Sequence, residues 1–68
     1  MREKPLTLPE VAEATGFPYW QIRIWVNRGF DPLPSMLVGL THRQRRVYMS
    51  DFEKWILRER ARARRAAR

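Results

Sequence analysis

The sequence predicts a small α+β domain, with two helices joined by a tight turn, then a two-stranded hairpin and a third helix. Three observations carry that prediction. Two hydroxyl residues are followed three positions later by glutamate, Thr7 by Glu10 and Ser50 by Glu53, the pattern of a capping box at a helix start. Apolar residues recur at i, i+3 and i+4 in three separate stretches. Between the second and third stretches, a proline-rich break leads into two short runs of β-forming residues.

The 68 residues suffice for one domain, and a domain so small buries only about 60% of its unfolded surface, so each large apolar side chain counts. Hydrophobic residues make up 44% of the chain, with three Trp, three Phe and two Tyr, enough for a small packed core. Without cysteine there is neither a disulfide framework nor a thiolate metal site, which fits a reducing compartment. No apolar run reaches membrane length and no signal-peptide pattern is seen, so a cytoplasmic location without membrane contact is expected.

The first element starts at Thr7, where residues 1–5 are expected to be a loose lead-in. Pro9 is tolerated in the first turn, Leu8, Val11 and Ala12 form an apolar face, and Gly16 ends the helix. The second helix lies within residues 15–30, TGFPYWQIRIWVNRGF, and the rest of the domain is organised around it. Pro18 suits its opening, Ile22, Trp25 and Val26 share its buried side, and Gly29 is the expected stop. Such a pair of helices joined through a glycine turn has the layout of a helix-turn-helix. Phe30-Asp31-Pro32-Leu33-Pro34 reads as a stiff, extended connector.

Met36-Leu37-Val38 and Arg46-Val47-Tyr48-Met49 are the expected strands, with a tip near residues 40–45 and with Val47 and Met49 facing inward. The third helix starts at Ser50 and buries Phe52, Trp55 and Ile56. The expected domain covers residues 1–57. Residues 58–68 form an Arg/Ala tail, helix-prone by composition but expected to fray because it has nothing to pack against.

The net charge is +7, and residues 58–68 hold six Arg against one Glu, which is +5 and leaves +2 for the other residues. A basic balance points to nucleic acid or an anionic surface, but much of it sits in one tail. Position is therefore more informative than total charge. The second helix turns Tyr19, Trp20, Gln21, Arg23, Ile24, Asn27 and Arg28 away from the core. Arginine pairs with guanine edges and Asn or Gln with adenine, so this is suitable chemistry for a DNA major groove.

Trp20 and Ile24 allow two accounts: packing on the connector or lead-in, or contact with thymine methyls or a protein partner. In the hairpin, His42, Arg43, Gln44, Arg45 and Arg46 repel one another and serve no structural need, whereas phosphates or a narrow minor groove would accommodate them. The tail arginines, Arg58, Arg60, Arg62, Arg64, Arg65 and Arg68, are expected to meet phosphates. His42 stands alone without acidic or cysteine neighbours, so no metal, cofactor or catalytic role is expected, and no enzyme.

Leu8-Pro9-Glu10-Val11-Ala12, Gly16, residues 25–29 and residues 51–56 together resemble the excisionase-type winged helix-turn-helix, related to the DNA-binding domains of MerR regulators. The resemblance covers residues 6–57 and implies a small α+β winged helix-turn-helix. It implies that the second helix enters a major groove and the hairpin wing the adjacent minor groove. Double-stranded DNA is then the partner, with an integrase and further copies on adjacent sites as possible associates. The implied role is DNA binding and bending as an excisionase. A small prophage-type transcription regulator, or a protein-interaction adaptor using Trp20 and Ile24, is the alternative. The chain departs from the family's pattern at Pro18, where Ser or Thr is usual, and at Trp20 and Ile24, where polar residues are common. Its wing tip, Thr41-His42-Arg43-Gln44-Arg45, is also longer than in many members. The tail lacks the Leu or Ile heptads of a dimerising coiled coil, so a monomer is expected.

Overall fold

The reciprocal bonds expected of a capping box start the first helix. The Thr7 Oγ1 accepts from the Glu10 N–H at 3.2 Å, and Glu10 Oε1 accepts from the Thr7 N–H at 2.8 Å. The helix they start, α1 (Leu8–Thr15), ends at Gly16, whose φ of 83° is left-handed and whose N–H donates to the Ala12 carbonyl. A Cβ at Gly16 would meet nothing within 4 Å, so the backbone angle, not crowding, is what calls for glycine. The computed structural model describes residues 3–38 and 44–66. Its other elements are β1 (Leu6–Thr7), α2 (Tyr19–Asn27), β2 (Met36–Val38), β3 (Gln44–Val47) and α3 (Met49–Ala66). Three helices and a three-stranded antiparallel sheet make this a small α+β fold.

Pro18 sits in extended conformation before α2, and its carbonyl accepts from the N–H groups of Gln21 and Ile22. Gly29 does not stop the helix in the expected way. The chain leaves α2 at Arg28 with extended angles, and the left-handed residue is Asp31, with φ 42°. That conformation aims the Asp31 carbonyl at three donors: Trp55 Nε1 at 2.8 Å, and Arg28 Nη2 and Nε at 3.0 and 3.2 Å. These bonds offset the strain that a non-glycine residue carries there. The connector beyond is more than a spacer, since the Leu33 N–H donates to the Trp25 carbonyl and its side chain is buried.

The sheet has the order β1-β3-β2, with Leu6 opposite Val47, Thr7 opposite Arg46 and Met36 opposite Arg46. The expected two-stranded hairpin is therefore corrected to three strands. Leu6 and Thr7, between the expected lead-in and the first helix, pair along the otherwise open side of β3. The expected hairpin tip falls largely on residues 39–43, outside the described residues. Val47 is fully buried as expected, while Met49 belongs to α3 and packs at the edge of the core.

The start of α3 is also corrected. Ser50 lies inside the first turn, and its N–H and hydroxyl donate to the Glu3 carboxylate at 2.8 and 2.6 Å. The acceptor for the orphan donors of that first turn comes from 47 residues away, in place of a local box. At the other end, α3 continues to Ala66, so the boundary expected after Leu57 falls inside a helix. The extension expected to lack a packing partner has one, since its Arg62 lies over Phe30 and pairs with Asp31.

The core unites Leu8, Val11, Ile22, Trp25, Val26, Leu33, Val47, Phe52 and Trp55. Trp25 and Trp55 are core residues as expected, with ring centroids 5.1 Å apart. Phe17 meets Trp25 edge-on at 5.0 Å, a favoured arrangement for aromatic pairs.

Candidate nucleic-acid interface

Burial of Ile22, Trp25 and Val26 fixes the rotation of α2 and turns its opposite side outward. Tyr19, Trp20, Arg23, Ile24 and Asn27 line a shallow concavity of about 350 Å³ on that side. Trp20 is 61% exposed and Ile24 53%, so neither is covered by the connector or by residues 3–5. Arg23 holds its guanidinium over the Tyr19 ring at 5.8 Å, within cation–π range. Asn27 donates one amide hydrogen to the Arg23 carbonyl at 2.9 Å, which leaves its second hydrogen and its side-chain carbonyl facing outward. Gln21 is half-buried and does not line this concavity, which sets it apart from the other α2 site residues.

Tyr19 is shared with a second concavity of about 310 Å³, lined also by Thr7, Leu8, Pro9, Gln44, Arg45 and Arg46. The outward face of α2 and the basic strand β3 thus adjoin through one aromatic ring. Along β3, Arg45 Nη1 donates to Ser35 Oγ at 3.0 Å, and Arg46 Nη2 to Gln44 Oε1 at 3.3 Å. These neutral partners orient the guanidinium groups without cancelling their charge. His42 and Arg43 lie outside the described residues.

The arginines of the α3 extension divide into two sets. Arg58 Nη2 and Arg62 Nη2 pair with the Asp31 carboxylate at 3.1 and 2.8 Å, and Arg62 Nη1 pairs with Glu59 at 2.6 Å. Arg28 meets Glu59 with two nitrogens, at 2.8 and 3.0 Å, and lies over the Trp55 ring at 4.9 Å. Arg62 also covers Phe30 at 4.9 Å. Hydrogen bonds from Arg58 and then Arg62 hold the Asp31 carboxyl down at about 2. The bond from Arg28 lowers Glu59, and Glu59 raises Arg28 in return. Arg60, Arg64 and Arg65 are exposed and take part in no ion pair among the described residues. Arg68 lies outside those residues.

The clasp around Asp31 and Glu59 is not legible in the sequence. Only the Glu59–Arg62 pair, three positions apart on one helix, has a local signal. Arg28, which has suitable groove chemistry in isolation, is tied into the clasp. Among the described residues, no group of three His, Cys, Asp or Glu could hold a metal ion, and every buried side-chain nitrogen or oxygen has a partner. No described helix is long and apolar enough to cross a membrane. No protein-family model, curated protein or solved structure matches the chain.

Proposed function

We propose that the chain is a winged helix-turn-helix that binds double-stranded DNA, with α2 in a major groove and the β2–β3 pair acting as the wing. The observation that carries this reading is the continuity at Tyr19. It makes an exposed helix face and a basic strand into one surface, and neither adjoining concavity is lined by a carboxylate. Phosphates neutralised by Arg45 and Arg46 would fix register, while Arg23 and Asn27 face base edges. The protein acts by binding and bending, without catalysis, and the resemblance in its motifs makes excisionase, working with an integrase, the specific role.

The test is a gel-shift series on selected and scrambled duplexes. Arg23→Ala should weaken the selected duplex by about 1–3 kcal/mol and the scrambled one far less. Equal loss on both would remove Arg23 from base reading, and no loss on either would remove α2 from the groove. A neighbouring integrase gene with repeated sites favours excision, whereas a lone gene beside a regulated promoter favours a transcription regulator using the same surface. The exposure of Trp20 and Ile24 supports an adaptor as the second reading. That reading requires Trp20→Ala to lose a protein partner in a pull-down while DNA binding is unchanged.

A further inference from the structure

Trp20 and Ile24 stand four positions apart on α2, so they form one apolar ridge on the side opposite the core. Neither the domain's packing nor the pairing of its arginines uses that ridge. Its borders are polar: Arg23 stacked on Tyr19 to one side, and Asn27 one turn further along. An apolar ridge between hydrogen-bonding groups calls for a ligand with the same alternation.

We infer that the ridge is a specificity determinant that packs against the C5-methyl groups of pyrimidines in the major groove. This rests on the DNA-binding reading proposed above and sharpens it. The C5-methyl is the apolar group that base edges present in that groove, beside the donors and acceptors that Arg23 and Asn27 match. Four residues of helix rise about 6 Å. One DNA strand advances about 3.4 Å per nucleotide, so the ridge spans about two steps. Trp20 and Ile24 therefore each cover one methyl, within two steps of each other. The arginines of the adjoining surface complement phosphates, which favours DNA over an apolar protein partner. Thymine and 5-methylcytosine both carry the methyl, and the chemistry is the same for either source.

The test begins with selection of duplexes from a random library by the full chain at fixed salt. The selected duplex is then rebuilt with deoxyuridine at each thymidine in turn, and with 5-methyldeoxycytidine at each deoxycytidine in turn. The expected result is a loss of about fourfold at one or two thymidines, the share of a single buried methyl. A comparable gain at one or two methylated cytosines would support the inference with 5-methylcytosine as the source. Trp20→Ala and Ile24→Ala should each become indifferent to the modification at the one position that side chain covers, while still responding at the other. Both positions are exposed, and a circular-dichroism melt matching the parent chain confirms that the variants fold. If the parent chain binds every modified duplex as it binds the unmodified one, while Arg23→Ala still weakens it, this inference falls and the DNA-binding reading stands. If no sequence is enriched and Arg23→Ala changes nothing, both fall.

Discussion

Trp55 joins several parts of the fold. It is fully buried, touches Trp25, lies beneath Arg28 and donates its indole N–H to the left-handed residue, Asp31. Trp55→Ala, or Trp25→Ala, should cost about 3–5 kcal/mol, comparable with the whole stability of so small a domain. Urea denaturation measures this, and a variant with the parent midpoint would remove the residue from the core. Trp55→Phe keeps much of the packing but withdraws the indole donor, so its loss should be smaller. The Asp31 carboxyl, held at about 2 against an ordinary 3.8, gives the fold an acid limit. Its folded pKa lies below its unfolded one, so its contribution is complete above about pH 4 and is lost as pH falls towards 2. Glu59 is shifted in the same direction. Thermal melts between pH 5 and 2 should show the midpoint falling through that window. Asp31→Asn should start lower at pH 5 and fall less, and parallel curves for the two proteins would deny Asp31 this role.

The long helix α3 gains from both ends. Glu3 accepts from Ser50 at its start, and Arg58, Glu59 and Arg62, just beyond Leu57, clasp Arg28 and Asp31. Removing residues 58–68 should lower Tm by on the order of 5 °C, because Arg28 is then left over Trp55 without its carboxylate. The partly exposed pairs in this clasp weaken with salt, so the difference should shrink at high ionic strength. A truncated chain that melts with the parent would restore the frayed tail. Much of this architecture is legible locally. The Thr7–Glu10 box, Gly16 and the three apolar faces involve residues within a turn of one another, and all stand where the spacing predicts. The rest depends on partners distant in sequence. Leu6 and Thr7 are too few to show a strand pattern, and become one only because β3 has an open side. Gly29 is the obvious left-handed candidate by residue type. The donors that hold Asp31 there come partly from Trp55, 24 residues away. Among the candidate site residues, the outward face of α2 follows from the helical period alone. The neutralisation of Arg58 and Arg62 does not, since both answer to Asp31.

Across the whole molecule, the basic side chains open to the proposed DNA partner are fewer than the 14 Lys and Arg of the sequence. Asp31 and Glu59 already occupy Arg28, Arg58 and Arg62. Where the α3 extension meets phosphates, each of Arg60→Ala, Arg64→Ala and Arg65→Ala should reduce the slope of log affinity against log salt by about 0.9. Arg58→Ala and Arg62→Ala should change it less, and equal effects from all five would mean that the clasp opens on binding. Arg45→Ala with Arg46→Ala should instead reduce discrimination between selected and scrambled duplexes, since β3 holds those side chains in place.

The pairing of Leu6 with Val47, and of Glu3 with Ser50, also orders the events of synthesis. The residues of β1 are translated before their partners, which lie beyond α1, α2 and the connector. While the intervening residues are being added, α1 and α2 can already form their short-range turns. The sheet must wait until β3 has left the ribosome, and the start of α3 closes on Glu3 later still. Long loop closures slow folding, so the return of the first strand to the last one, and then the closing of Ser50 on Glu3, should be the final steps. A nascent chain arrested with residues 1–45 exposed should therefore show helical structure but a protease-sensitive first strand, and protection of residues 3–7 should appear only once residue 50 has emerged.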